Sequence, residues 1–346
     1  MIDRVAIKNY RGLRSVECAI RPLTVLVGPN DSGKSSFLAA LRAVIAADQY
    51  IPDADFWRRN PANTISIEIE SPHRSYRAQA SQDNFVIEAT DNRAAESTRV
   101  GTQGQLQQYG NVVSFWSPYR DTLDGLSLIH FQLPIQGVGM VSAGYNGTDT
   151  AKEFGRDGSG VPSFLDYLLR KDRKRFFSFV EEAKRLIDGL DDVDIETPDP
   201  SSRRLDFVID GGLRIEGEQA SAGVRLLIFF IALLHHPSPP KVILIEEPET
   251  GIHPRRIVDV MKLLRKITLG EVNGHAAQVI LTTHSPYLLD CVNLDTDQVL
   301  VFRREEDGSR TASPVDAEGL KDFLHDFQLG EVWYNEGEAG LVAHQS

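Results

Sequence analysis

Residues 23–40 read LTVLVGPNDSGKSSFLAA, and this stretch decides the fold. An apolar run, Val25-Leu26-Val27, leads into Gly28, and four residues separate Gly28 from Gly33-Lys34-Ser35. A strand, a glycine-rich turn and a helix in that order make a P-loop. Glycine lets backbone N–H groups approach phosphate oxygens with no Cβ in the way. The segment Gly28, Asn30, Asp31, Ser32 and Gly33, with Ser36 opening the helix behind it, is expected to cradle the β-phosphate. Its N–H groups and the positive end of the helix do the holding. Lys34 is expected to reach the β- and γ-phosphates, and the Ser35 hydroxyl to ligand Mg²⁺. ATP and Mg²⁺ are therefore the expected ligands. The following helix, Ser36–Ala47, is apolar and alanine-rich.

Upstream, Val5–Asn9 and Glu17–Ile20 read as short strands around a turn, Tyr10-Arg11-Gly12-Leu13. Downstream, Thr64–Glu70 and Phe85–Ala89 alternate apolar and polar residues, which predicts an antiparallel β-lobe. Val112–Trp116 is a further predicted strand, and residues 137–160 read as a glycine-rich loop. Val161–Leu190 is predicted helical. Leu205–Ile215 predicts a hairpin bent at Asp210-Gly211-Gly212. Ser221-Ala222-Gly223 opens an apolar helix running to Leu234. Val242–Ile245 suits a buried parallel strand, Arg255–Leu269 a helix, and Gln278–Thr282 and Val299–Phe302 two more strands. The fold class that follows is α/β, with a mixed, mostly parallel core sheet, an antiparallel β-lobe and a helical lobe.

Composition is ordinary for a globular chain, with 41% apolar and 25% charged residues among 346. The longest apolar run, Leu226–Leu234, is too short to span a bilayer. The charged start, MIDRVAIKNYRG, is not a signal peptide, so a cytoplasmic protein with no membrane partner is expected. Cys18 and Cys291 have no metal-ligand spacing. A net charge of −12 argues against a strongly basic nucleic-acid coat. The one dense basic run, Arg170–Arg175, is expected on a helix, either as a solvated face or as a contact for DNA or RNA phosphates.

The segment VILIEEPE, residues 242–249, supplies the complementary chemistry. A P-loop enzyme needs a carboxylate at the end of a buried strand to serve Mg²⁺, and Glu246 fits that place. Glu247 beside it is the candidate general base that orients the attacking water. His284, in ILTTHSP just past a strand, can hydrogen-bond the γ-phosphate or that water.

The ordered set IKNYRGL, GPNDSGKSS, SAG, LIEEPETGIHP and TTHSP resembles the ABC-type ATPases of the RecF and SMC kind. It is most similar to the OLD-like ATPases, with two adjacent glutamates and a following His-Pro. The resemblance spans roughly residues 1–50 and 205–305. It implies a homodimer with two ATP molecules sandwiched between subunits. Ser221 and Gly223 match the signature motif that contacts the other subunit's γ-phosphate. His253 and Pro254 match a segment at the dimer interface, and Arg11 an arginine near the nucleotide. One ABC-type domain over residues 1–346 is expected. Its parts would be an N-terminal lobe 1–120, a loop and helical insertion 121–204, and a C-terminal lobe 205–346.

Three departures qualify the match. The signature reads Ala-Ser-Ala-Gly. No glutamine directly follows Val112–Trp116, where the family's Q-loop belongs, leaving Ser117, Arg120 or Gln132 as substitutes. The TOPRIM nuclease segment of OLD nucleases has no counterpart, and Asp295-Thr296-Asp297 reads as a turn before the last strand. The long coiled coil and Cys-x-x-Cys hook of SMC-like repair proteins are also lacking. The expected function is an Mg-ATP hydrolase that dimerises on ATP. By resemblance it would serve phage defence or DNA maintenance with a separate nuclease or toxin. A nucleotide-gated scaffold is the alternative, and the signature disfavours a transporter motor.

Overall fold

The computed structural model describes residues 1–45, 55, 57–60, 62–72, 74–81, 84–91, 96–102, 128–133, 138–143, 154–321 and 323–342. The chain divides into two compact units. The first comprises residues 1–130, 240–244 and 277–346, the second residues 131–239 and 245–276.

In chain order the strands are β1 Arg4–Tyr10, β2 Leu13–Ala19, β3 Leu23–Val27, β4 Ile65–Glu70, β5 Arg74–Ser81, β6 Asn84–Asp91, β7 Glu96–Thr102, β8 Leu128–Gln132, β9 Val141–Ser142, β10 Leu190–Glu196, β11 Arg203–Ile209, β12 Leu213–Glu216, β13 Val242–Glu246, β14 Gln278–Thr282, β15 Gln298–Arg304 and β16 Arg310–Pro314. Twelve of them form one sheet, ordered β7-β6-β5-β4-β1-β2-β16-β15-β3-β14-β13-β8. Around β3 the pairing is parallel, with β14 on one side and β15 on the other. All five residues of β3 are buried, as expected for a strand covered on both faces. From β1 through β4 to β7 the pairing turns antiparallel. Here Ile65, Ile67 and Ile69 point inward while Ser66, Glu68 and Glu70 are half-buried. The expected β-lobe exists, and it continues the core sheet through β1.

Helix α1, Lys34–Ile45, follows β3 and buries Phe37, Leu38, Leu41 and Val44 with Val5, Ile7, Ile67 and Phe302 in one core. The Phe37 and Phe302 rings meet edge to face, with centroids 5.6 Å apart. Each such fully buried aromatic contributes about 2 kcal/mol. The helix begins at Lys34, two residues before the sequence expectation, because Gly33 O already accepts from Phe37 N.

The second unit holds α2 Val161–Lys171, α3 Arg173–Leu186, α4 Ala222–Leu234 and α5 Pro254–Leu269, with β9–β12 as a separate sheet. In that sheet β9 and β10 both pair with β11, and β12 closes the expected hairpin. Helix α4 is buried from Leu226 to Leu234, which accounts for the long apolar run. Among the described residues no helix is long and apolar enough to cross a membrane.

The single helix expected over Val161–Leu190 is corrected in two ways. Asp172 breaks it: its N–H donates to Leu168 O, closing α2, and its carboxylate accepts from Arg175 N, capping α3. An aspartate is a strong N-cap, and here it wins over continuing the helix. Leu190 then opens β10. The basic run Arg170–Arg175 therefore straddles a break. Arg170 pairs with Asp166 and Arg175 with Asp172, so those two cations are engaged within the unit. The predicted strand Val112–Trp116 lies outside the described residues.

His235 closes α4 and is 3% exposed, its ring edge-on to Phe179 at 6.1 Å. Burial pushes its pKa from 6.5 down to about 4, against the attraction of Glu182; Arg175, Lys266 and Arg185 reinforce the lowering. The unfolded ring takes up a proton below about pH 6.5 while the folded ring stays neutral to about pH 4. Stability from this residue is full above that window and falls as the pH drops through it, by about 1.4 kcal/mol per unit. His235→Leu is expected to flatten the fall of the thermal midpoint between pH 6.5 and 4.5 relative to wild type. Parallel midpoint–pH curves for the two proteins would refute this.

Candidate nucleotide site

In the first unit the loop between β3 and α1 runs through Gly28, Asp31 and Gly33 at φ of 140°, 61° and 106°. Only glycine fits at 28, since a Cβ there would lie 2.2 Å from Phe302 O. The Lys34 side chain is buried, and its Nζ donates to Gly28 O at 2.7 Å and Pro29 O at 2.9 Å. Ser32 is buried inside the turn, while Ser35 is exposed and Ser36 half-buried in the first turn of α1. Asn30 and Asp31 are exposed at the crown.

Two further predicted site residues lie after β14 and in the β1–β2 turn. Thr282, the last residue of β14, is in register with Leu26, and His284 follows two residues on. Thr283 N donates to Leu26 O, and Thr283 Oγ1 accepts from Ser285 N, fixing the chain on either side of His284. Arg11 sits in the β1–β2 turn at φ 50°. Its guanidinium grips Asp55 (2.9 and 3.4 Å), and Tyr10 Oη donates to the same carboxylate at 3.3 Å. Asp55 gave no signal in the sequence.

In the second unit Gln132 and Glu246 are the last residues of β8 and β13. Gln132 Nε2 donates to Glu246 Oε1 at 2.8 Å. Of the three Q-loop substitutes, Gln132 therefore touches the candidate metal carboxylate, while Ser117 and Arg120 lie outside the described residues. With its amide N–H committed to Glu246, the Gln132 carbonyl oxygen remains as a hard donor beside a carboxylate. Carboxylate and amide oxygens are donors of the kind that suits Mg²⁺.

Glu247 is exposed and takes φ 46°, a left-handed conformation that costs a non-glycine residue about 1–2 kcal/mol. A turn bond from Thr250 N to Glu247 O holds it, and Thr250 Oγ1 donates to Glu247 Oε2 at 3.3 Å. Strain at a carboxylate on a strand end points to function.

Ser221 caps α4, its Oγ accepting from Val224 N at 3.3 Å. Gly223 lies against the next turn: a Cβ there would be 3.5 Å from Gly251 O. His253 and Pro254 open α5, and the His253 ring caps it by accepting from Arg255 N. Ser221, His253 and Pro254 are all exposed. Asp295 and Asp297 lie in the expected turn before β15, with the Asp297 carboxylate accepting from Asn293 N and Thr296 Oγ1.

The architecture is that of an SMC head. A solved SMC head bound to the C-winged helix domain of ScpA matches with a TM-score of 0.62 at 15% identity, covering 92% of this chain and 99% of that one. An SMC head with an extended coiled coil, bound to the C-terminal domain of ScpA derived from Pyrococcus furiosus, matches at 0.54 and 12% identity, covering 94% and 98%. A family model described as "AAA ATPase domain" matches residues 1–108. One described as "AAA domain, putative AbiEii toxin, Type IV TA system" matches residues 143–290. The Old nuclease of Escherichia phage P2 is 22% identical over 82% of this chain and 56% of its own length. The OLD nuclease of Thermus scotoductus is 22% identical over 95% and 68%. The chain therefore spans about half to two thirds of these relatives. In sequence and fold together the chain is similar to the ABC/OLD-like ATPases of the RecF and SMC class.

Proposed function

We propose that the chain binds Mg-ATP at the Gly28–Ser36 loop, dimerises on it and hydrolyses it. The observation that best supports this is the loop's built cradle: a Gly28 that admits no Cβ, a Gly33 at positive φ and a buried Lys34 ammonium held on loop carbonyls. On binding, the ammonium exchanges those carbonyls for β- and γ-phosphate oxygens. Ser35 and Glu246 are the proposed ligands of Mg²⁺, with Gln132 steadying Glu246. The bound cation would neutralise and polarise phosphate oxygens. Glu247 takes the proton of the attacking water, and His284 hydrogen-bonds the γ-phosphate or that water. Arg11, paired with Asp55, is the proposed arginine near the nucleotide.

Ser221 and Gly223 would complete the site from a second copy, with the positive end of α4 facing the γ-phosphate. His253 and Pro254 would belong to the same interface. The motif resemblance extends the proposal to phage defence or DNA maintenance, and the relatives' names, nuclease and toxin, support a nuclease or toxin effector. Nuclease chemistry is then proposed to lie outside these 346 residues, since Asp297 is occupied in holding its own turn. Contact with DNA or RNA and a cytoplasmic setting belong to the same reading.

The shared site is tested by mixing two inactive variants. Aspartate caps helices as well as serine, so Ser221→Asp is expected to fold and bind ATP, yet lose turnover through charge repulsion. Each mixed dimer with Lys34→Ala keeps one site whose loop and signature are both intact. Phosphate release is expected to return to about a quarter of wild type if sites act independently. A fully active Ser221→Asp protein, or no recovery on mixing, would overturn the shared site.

A further inference from the structure

The first residue of β16, Arg310, occupies a place that the site described above does not explain. Its Nη2 donates to Asp31 Oδ2 at 2.6 Å and its Nε to Asp31 O at 3.0 Å. Its Nη1 donates to Gly308 O, and its backbone N donates to Gly12 O at 2.9 Å. Arg304, from the paired strand β15, lies 3.7 Å from the same Asp31 carboxylate. The Arg310 side chain is only 17% exposed. It passes through space left by two glycines: a Cβ on Gly12 would meet Arg310 Cδ at 2.5 Å, and one on Gly33 would meet Arg310 Cβ at 3.2 Å.

We propose that Arg310 is a positioning residue for nucleotide binding, which locks the crown of the Gly28–Ser36 loop and cancels the charge of Asp31. The inference rests on the nucleotide reading of that loop. Two physical effects carry it. In a trans peptide the carbonyl and the following N–H point opposite ways. Fixing Asp31 O therefore fixes the direction of Ser32 N–H, which donates to Pro29 O. Asp31 also places a carboxylate on a loop meant for polyphosphate, and a guanidinium paired with it removes most of that repulsion. The glycine of the N-terminal Arg-Gly turn gains a reason as well, since it gives Arg310 its path to the loop.

Gly12 provides a way to displace the clamp without touching either partner. Gly12 is not at positive φ, and the atoms an added methyl would strike are the flexible end of Arg310. The probe is a fluorescent Mg-ATP analogue, titrated alongside thermal midpoints and steady-state kinetics. Arg310→Ala is expected to weaken binding about tenfold and raise KM in proportion, with kcat and the midpoint little changed. Arg310→Lys, which keeps charge but not the fork, is expected between the two. Gly12→Ala is expected to weaken binding in the same direction, and the Gly12→Ala/Arg310→Ala double variant to be no weaker than Arg310→Ala alone. In an Asp31→Asn background the Gly12→Ala effect is expected to shrink, a comparison that holds even if Arg310→Ala fails to fold. Wild-type affinity in Arg310→Ala and Gly12→Ala, or multiplying losses in the double variant, would overturn the clamp alone. A wild-type chain that binds no analogue would overturn the nucleotide reading, and the clamp with it.

Discussion

Lys34→Ala is expected to lower Mg-ATP affinity by about a hundredfold or more and to remove turnover, while leaving the fold intact. The ammonium is the loop's own cation, buried and held at the mouth by Gly28 O and Pro29 O. Both acceptors are backbone carbonyls of the same turn, so the side chain is not part of the apolar core below. Alanine is also a better helix former at the first position of α1. The loss therefore falls on phosphate binding, where a charge-assisted contact to a triphosphate disappears. Titration of Mg-ATP into the folded variant reads this directly. Wild-type affinity and phosphate release in Lys34→Ala would exclude the Gly28–Ser36 loop as the nucleotide site.

Glu247→Gln is expected to slow hydrolysis by about 10²–10⁴-fold, the range lost when a general base is removed, with ATP affinity retained. The side chain follows β13 on a left-handed residue and is exposed, and Thr250 Oγ1 donates to its carboxylate. Glutamine keeps the size and the bond from Thr250 and loses only the capacity to accept a proton. Glu246→Gln should differ in kind. Its carboxylate accepts from Gln132, so the change disturbs a metal-type oxygen and weakens the Mg²⁺ dependence of turnover. Single-turnover phosphate release separates the two. Wild-type rates in Glu247→Gln would reassign the base.

The elements that carry the site were legible because they are extreme. β3, β13 and β14 are buried strands read as unbroken apolar runs, and the loop between β3 and α1 is spelled by its glycines. The α4 start and its cap at Ser221 followed from one serine before an apolar run. What escaped was polar or non-local. β7, ESTRVGT, is the edge strand of the antiparallel stretch, and β5, RSYRAQAS, buries Tyr76, Ala78 and Ala80, two of them small residues that give little apolar signal. β10, LDDVDIE, reads as an acidic continuation of a helix until its pairing with β11 is seen. Asp172 looked like one more charge in a basic run, because a cap within a helix-favouring sequence leaves no break in periodicity. The bond between Gln132 and Glu246 joins residues 114 apart, and Arg310 lies 279 residues from Asp31. No local pattern encodes either contact, though the glycines at 12 and 33 mark the space that Arg310 needs.

ATP is proposed to be part of the interface between two copies of this chain. The most direct test is the mass of the Glu247→Gln protein by light scattering, with and without Mg-ATP. With hydrolysis blocked, the nucleotide-bound state accumulates, and ligand that binds only the dimer drives association by mass action. A doubling of mass on adding Mg-ATP, at one nucleotide per chain and abolished by Ser221→Asp, is the expected result. A single-chain mass at saturating, demonstrably bound ATP would contradict it.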